Sequence, residues 1–297
     1  MRKLVVFIII LFIALPVLAN NIVDTDNDGL SDELEVNLYK TDPQKVDTDG
    51  DGYNDGDEVK NNYSPLNPKK VKMKDNDYDH DGLSDGMEIK FKTDLTNPDT
   101  DGDGYNDGDE VKNNYSPLNP KKVKMKDNDY DHDGLSDGME IKFKTDLTNS
   151  DTDGDGYKDG DEINKGYDPL NKTFGVKLAK KIEVNLKQQT LSYFLSNVKL
   201  GEFLVSSGKN NTTPKGNFKI SNKSIKAWSP YGLWMPYWLG IEGQKFGIHE
   251  LPIWPNGYRE GQDHLGKPVS HGCIRLGVGP AKIIYNWIEK GTKISIN

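Results

Sequence analysis

A chain of 297 residues is long enough for about two domains, which excludes a single small module. With 34% hydrophobic against 29% charged residues and thirty glycines, one apolar core running the whole length is excluded too, so part of the chain must be held by something other than burial. The net charge of −9 averages two opposed halves: residues 20–171 hold 40 acidic and 18 basic side chains, net −22, whereas residues 172–297 hold 7 and 18, net +11.

At the N-terminus, Arg2 and Lys3 precede an apolar run from Leu4 to Leu15, followed by Pro16 and Val17-Leu18-Ala19. This is the charge, apolar and small-residue order of a secretory signal peptide, so residues 1–19 are expected to be cleaved after Ala19 and the rest exported to the periplasm, cell envelope or outside. The apolar run is shorter than the ~20 residues of a membrane-spanning helix, and no cysteine follows it to carry a lipid.

The acidic region, residues 20–171, is repetitive. Asp47 to Asn97 recurs residue for residue as Asp99 to Asn149, a period of 52, and a third partial copy begins at Asp151. A shorter pattern occurs six times, with Asp at positions 1, 3, 5 and 9, Gly at 6 and Glu at 12. The first loop has Asp24, Asp26, Asp28, Asp32 and Glu35, and the second Asp47, Asp49, Asp51, Asp55 and Glu58. The third has Asp77, Asp79, Asp81, Asp85 and Glu88, and the fourth Asp99, Asp101, Asp103, Asp107 and Glu110. The fifth has Asp129, Asp131, Asp133, Asp137 and Glu140, and the sixth Asp151, Asp153, Asp155, Asp159 and Glu162. Alternate carboxylates curling round an ion, a glycine at the sharp turn, a position 7 carbonyl and a bidentate Glu at 12 make a calcium loop. These thirty carboxylates are the candidate metal ligands, and calcium is the expected structural cofactor. Position 7, Leu in odd loops and Tyr in even ones, needs only its backbone. His80 and His132 at position 4 are expected to be solvated.

A disordered acidic spacer has no reason to keep the glycine in register, so an ordered array is expected. Six divalent ions bring the region from −22 to about −10, which predicts a rod that is loose without calcium. Runs such as Met87 to Phe91 are too short for a helix of normal length. Tyr63-Ser64-Pro65-Leu66-Asn67-Pro68 and the lysines from Lys69 to Lys74 read as linkers. The lysines offset neighbouring carboxylates, with contact to an anionic wall polymer as the other reading. The loops resemble thrombospondin type 3 and dockerin-like calcium repeats from residue 24 to about 170, which implies spacing or attachment rather than catalysis.

From Lys181 the pattern changes to alternation, with Ile182, Val184 and Leu186, then Leu191, Tyr193 and Leu195, then Phe203 and Val205. Period two broken by Gly201 and Ser207-Gly208 predicts strands and hairpins. Further strands are predicted at Asn217 to Ile220 and Lys245 to Ile248. Pro280 to Lys290 is the one good helix, with Ile283, Ile284, Trp287 and Ile288 on one stripe and Gly291 as its stop. A mainly β sandwich or barrel of about 125 residues with one late helix is expected, enough chain for its own core.

Cys273 is the only cysteine, so no intramolecular disulfide or multi-cysteine zinc site exists. A lone thiol in an exported protein points to a nucleophile, which needs a neighbouring base or positive field. His249, His264 and His271 are the nearby histidines in sequence; His271 is the local candidate and His249 one that folding must bring close. The trio of Phe246-Gly247-Ile248-His249, Gly266-Lys267-Pro268-Val269-Ser270-His271-Gly272-Cys273-Ile274-Arg275-Leu276 and Thr213-Pro214-Lys215-Gly216-Asn217-Phe218 resembles the L,D-transpeptidase catalytic domain, the YkuD-like family, as do Ser207-Gly208 and the Ile182 to Leu186 strand. The resemblance implies a cysteine nucleophile at Cys273 and a base at His249 in place of His271. Two features depart from the family pattern. The stretch from His249 to Ser270 is longer than usual, read as an inserted loop from Leu251 to Leu265. Glu250 stands where a small residue often follows the histidine, which leaves open the group orienting His249.

On that resemblance, the thiolate attacks a tetrapeptide stem of peptidoglycan, D-alanine leaves a thioester, and a second stem's amine makes a 3→3 cross-link. The N–H groups of Gly272 and Cys273 are the expected oxyanion donors. Ser270, His271 and Gly272 complete the candidate catalytic turn, and Arg275 is either a clamp for a stem carboxylate or half of an internal ion pair. Trp228, Trp234, Trp238, Trp254, Tyr231 and Tyr237 are expected mainly in the core. The expected organisation is a signal peptide over 1–19, a six-loop calcium region over 20–171 and an L,D-transpeptidase domain over 172–297. Catalysis is expected to need no cofactor. Stem peptides are the expected donor and acceptor, and no nucleic-acid motif occurs. The rival readings are an L,D-carboxypeptidase, in which water resolves the thioester, and a non-enzymatic calcium-dependent wall adhesin.

Overall fold

The computed structural model describes residues 23–243 and 245–297, so the signal-peptide reading lies outside the described residues. The chain divides into two compact units, Met1–Lys122 and Val123–Asn297. Among the described residues no helix is long and apolar enough to cross a membrane.

The first unit holds loops one to four. Each loop turns directly into a short helix at position 9: α1 Asp32–Leu34, continued by one wide π turn, then α2 Asp55–Lys60, α3 Asp85–Phe91 and α4 Asp107–Lys112. Helices this short are marginal alone, and neighbouring loops lock in pairs. The Gly56 N–H donates to Asp28 Oδ2 at 2.8 Å, and the Gly108 N–H to Asp81 Oδ2 at 2.9 Å. A Cβ on either glycine would stand 2.6 Å from the partner loop's carbonyl oxygen, so only glycine permits the approach. The 52-residue repeat is therefore a pair of loops. Position 7 is not indifferent to side chain, contrary to expectation: Leu30 and Leu83 are buried while Tyr53 and Tyr105 are exposed. The odd loop turns its apolar residue inward, and the even loop's tyrosines lie under lysines, with Lys70 Nζ 3.5 Å from the Tyr53 ring centroid.

The second unit begins with the third loop pair, whose helices are α5 Asp137–Phe143 and α6 Asp159–Lys165, clamped by the Gly160 N–H to Asp133 Oδ2 at 2.7 Å. Eight strands follow: β1 Lys180–Asn185, β2 Thr190–Leu195, β3 Val198–Ser206, β4 Gly216–Trp228, β5 Trp234–Ile241, β6 Gly247–Glu250, β7 Ile274–Leu276 and β8 Lys293–Ile296, with helix α7 Pro280–Trp287 between the last two. They close into a barrel in the order β1-β2-β3-β7-β6-β5-β4-β8. The C-terminal strand closes it, parallel to β1 and antiparallel to β4. Alternate residues point inward, so Ile182, Val184, Leu191, Ile248, Ile274 and Ile294 fill the interior at 0–1% exposure. Ile284 and Ile288 of α7 join the same core.

The mainly β fold with one late helix is the expected one. The helix is shorter, ending at Trp287 with Ile288 as its cap, and Ile283 is 48% exposed rather than on the buried stripe. Strands β5 and β8 and the extension of β4 beyond Ile220 were not predicted from the sequence. Asn222, Lys223, Ser224 and Lys226 break the apolar alternation there, yet this stretch pairs with β5 as far as Trp228↔Trp234.

Candidate active site and cation loops

Strands β6 and β7 run parallel, with Ile248 opposite Ile274 and His249 opposite Arg275. That register carries Cys273, just before β7, alongside Gly247 and brings it into one cavity with His249. The cavity, of about 250 Å³, is lined also by Tyr231, Met235, Trp238, Lys245, Ser270, His271 and Arg275. A Cβ on Gly247 would meet the Leu239 carbonyl at 2.4 Å, so glycine allows β6 to lie this close to β5.

The turn before Cys273 is braced from several sides. Ser270 Oγ accepts from the Gly272 N–H at 3.0 Å and donates to the Cys273 carbonyl at 2.6 Å. Gly272 has φ +143°, a region that disfavours side chains. The Thr213 hydroxyl donates to the Gly272 carbonyl at 2.8 Å and accepts from the Gly208 N–H at 2.8 Å. A Cβ on Gly208 would stand 2.9 Å from the Gly272 Cα. The Ser-Gly and Thr-Pro-Lys-Gly motifs thus support the cysteine turn physically, and Thr213 is the positioning residue the sequence reading quoted without assigning. His271 is exposed and stacks on Tyr231, with ring centroids 4.3 Å apart. The Gly272 N–H, an expected oxyanion donor, is occupied by Ser270. Among the described residues the N–H groups of His271 and Cys273 carry no hydrogen bond.

His249 is 2% exposed, stacks on Trp238, and places Nδ1 2.5 Å from the Glu250 carbonyl. A carbonyl only accepts, so Nδ1 carries the proton and Nε2 is the acceptor. The orienting group left open by the sequence is therefore main chain, and the identity of residue 250 does not enter. Burial, helped by the Arg275 charge, pushes His249 down to about 4. Burial also pushes the Cys273 thiol up, against the Gly247 backbone hydrogen bond and Arg275, which lower it. Both groups are then neutral at pH 7.

The long loop after β6 folds back on the site. Arg259 pairs with the buried Glu250, and Glu260 pairs with Arg275 at 3.3 Å while accepting from Trp254 Nε1 at 3.0 Å. Arg275 is thus in an internal ion pair, the second of its two expected roles. Lys245, which the sequence reading passed over, has no carboxylate partner among the described residues. The aromatics are less buried than expected: Trp228, Tyr231 and Trp254 are exposed, and Tyr231 and Trp238 form cavity wall.

In the loops, position 6 glycines all have φ between +94° and +97°, the turn only glycine makes freely. His80 and His132 are exposed, as expected. The position 12 glutamates are 0–3% exposed. Both carboxylate oxygens of Glu58, Glu88, Glu110, Glu140 and Glu162 are buried with no hydrogen-bond partner, as are single oxygens of Asp24, Asp26, Asp49, Asp77, Asp79, Asp101, Asp131, Asp153 and Asp155. Within each of the first four loops, oxygens of the position 1, 3 and 5 aspartates lie within 4.8 Å of one another. Burial, with repulsion from the loop aspartates, pushes Glu88 and Glu140 up to about 9 and Glu58 and Glu110 to about 8. An all-oxygen set with orphaned buried lone pairs fits a hard divalent cation.

Position 9 departs from expectation. Asp32, Asp107 and Asp159 accept from both the N–H and the hydroxyl of the position 2 threonine. Asp85 accepts from Tyr78, Ser64 and Asn76, and Asp137 from Tyr130 and Asn128. In these five both carboxylate oxygens accept hydrogen bonds from their own loop or its neighbouring segment, so position 9 braces the loop, in contrast to the position 12 glutamates of loops two to six, whose oxygens have no partner. Asp55 keeps one oxygen free, and that residue groups with Asp28 and Glu35 of the preceding loop.

Residues 179–296 match the L,D-transpeptidase catalytic domain model (YkuD), and residues 24–46, 47–62, 99–114 and 151–172 match the bacterial TSP3 repeat. The C-terminal part of the chain is therefore an L,D-transpeptidase catalytic domain of the YkuD family, preceded by bacterial TSP3 repeats. Among curated proteins, YkuD of Bacillus subtilis (strain 168) is 31% identical over 117 residues, 39% of this chain and 65% of its own length. YciB of the same organism is 29% identical over 125 residues, covering 39% and 64%. The chain thus spans just under two thirds of these relatives. An L,D-transpeptidase structure from Stackebrandtia nassauensis is 24% identical with a TM-score of 0.35, covering 43% of this chain and 62% of that one.

Proposed function

We propose that the protein is an exported L,D-transpeptidase that joins peptidoglycan stems 3→3 through a Cys273 thioester, carried on a calcium-stabilised array of TSP3 loops. The observation that carries this reading is the meeting of Cys273 with a buried His249, its Nδ1 fixed by the Glu250 carbonyl and its Nε2 left basic, in one aromatic-walled cavity.

His249 Nε2 takes the thiol proton as sulfur attacks the carbonyl following the diaminopimelyl residue of a donor tetrapeptide. The N–H groups of His271 and Cys273 hold the oxyanion, since that of Gly272 is occupied. Collapse breaks the C–N bond, His249 returns the proton to the departing amine, and D-alanine leaves a thioester. The side-chain amine of a second stem attacks that thioester, its proton passes to His249, and the thiolate regains it. Arg275 is paired with Glu260, and its charge acts on the imidazole from the neighbouring strand. Lys245, a cavity cation with no carboxylate partner among the described residues, receives a stem carboxylate.

In the repeats, aspartates at positions 1, 3 and 5, the position 7 carbonyl and the position 12 glutamate hold calcium, which cancels charge and orders the loops. D-alanine release with and without a diaminopimelyl acceptor tests the reading. Release that generates cross-linked dimer in proportion supports transpeptidation. Release without dimer makes the enzyme a carboxypeptidase, and no release returns the protein to a wall adhesin.

A further inference from the structure

We propose that the cations of the fifth and sixth loops are structural cofactors of the catalytic barrel itself, whereas those of the earlier loops are not. The proposal rests on the reading that the loops bind calcium. Leu135 of loop five, Phe143 of α5, Ile163 of α6 and Leu195 at the end of β2 form one buried cluster, with Val198 and Leu200 of β3 packed against it. Leu195 is 0% exposed, and its cover comes from the loop pair.

The groups facing the ions sit on the same two helices as the groups facing the barrel. Glu140 lies one turn before Phe143 on α5, and Glu162 directly precedes Ile163 on α6. Both oxygens of Glu140 and of Glu162 are buried without a hydrogen-bond partner, at 0% and 1% residue exposure. A ligand aimed at by orphaned carboxylates therefore holds the helices that cover β2 and β3. The exit from α6 is tied in as well, with Leu178 donating to the Gly166 carbonyl at 2.9 Å on the way into β1. Without cations the carboxylates repel, α5 and α6 lose their seat, and the apolar ends of β2 and β3 are uncovered. The consequence reaches the site through the chain: β3 runs straight into Ser207-Gly208, which packs on the turn holding Cys273.

The sequence supplies its own control, because Asp77 to Glu88 and Asp129 to Glu140 are identical. In the full-length protein, Glu88→Gln and Glu140→Gln remove the same ligand from identical loops, the first in the first unit and the second in the buried cluster that holds Leu195. Hydrogen exchange of peptides spanning Thr190 to Ser206 is compared in calcium and in chelator, with calcium stoichiometry measured by calorimetry. With calcium at about 100 times Kd, one lost site changes the local opening equilibrium by about 100-fold. Expected is faster exchange of that order in Glu140→Gln, none in Glu88→Gln, and fast exchange in chelated wild type. Equal β2–β3 protection in both variants, with one calcium lost from each, overturns the proposal while leaving the loops as calcium sites. A wild type that binds no calcium overturns the underlying reading instead.

Discussion

Thr213→Val tests the turn that presents Cys273. The substitution keeps shape and removes one hydroxyl, which here joins the Gly208 N–H and the Gly272 carbonyl at 2.8 Å each in a site where Thr213 is 2% exposed. Two hydrogen bonds are lost, each about 1 kcal/mol net, and the Gly208 N–H is left buried without a partner, so the total is about 2–4 kcal/mol. For a unit of this size that lowers the melting temperature by about 5–10 °C. Catalysis suffers separately, because Gly272 is released to shift. A displacement of ~1 Å at the nucleophile is worth about 100-fold in acylation. The assay pairs a thermal melt with the rate of acylation by a tetrapeptide stem, well below the melting temperature. Thr213→Ser restores the hydroxyl and is expected to recover most of both. A Thr213→Val protein that melts and acylates like wild type would refute the claim that this hydroxyl positions the turn.

Lys245→Gln is expected to raise KM for the stem about tenfold, the equivalent of one charge-assisted contact of ~1.5 kcal/mol, with kcat nearly unchanged. An unchanged KM removes Lys245 from substrate binding. With His249 held near 4, the base stays neutral through mildly acid pH, so the acid limb of kcat/KM lies near 4 rather than 6.5. A limb at 6.5 contradicts the buried, neutral imidazole. Because that pKa is depressed, the histidine's contribution to stability is intact above pH 6.5 and lost as pH falls through about 4, which a pH series of melts reads. The loop glutamates have the opposite sign. Their folded-state pKa is raised, from 4.5 to about 8–9 at Glu58, Glu88, Glu110 and Glu140, so the folded form holds more protons. In chelator the helical signal should therefore be more stable at pH 5 than at pH 8, and calcium should abolish the difference. No pH dependence in chelator would contradict the burial of these groups.

Period-two alternation made β1, β2 and β3 legible, and Pro280 with Gly291 bracketed α7 to within a few residues. What escaped was decided by tertiary contact. Tyr237 and Trp238 in β5 gave no alternation because β5 packs on both sides, against α7 and the cavity. The pairing of odd with even loops was implicit in the 52-residue period, yet Gly56, Gly108 and Gly160 disclose their role only through the neighbouring loop. The motifs carrying Cys273 and His249 were visible in sequence, and the parallel register of β6 and β7 brings both residues to one cavity. The Glu250 carbonyl was invisible because a main-chain acceptor leaves no trace in residue identity. The occupation of Gly272 by Ser270, and of Arg275 by Glu260, likewise depends on geometry that spacing does not encode.

The most direct test of the central claim is the intact mass of the calcium-loaded protein after mixing with a tetrapeptide stem, beside Cys273→Ala and His249→Ala. The account predicts an adduct equal to the stem less D-alanine, absent from Cys273→Ala and slow to form in His249→Ala. An adduct that persists in Cys273→Ala, or none in the wild type, would contradict it.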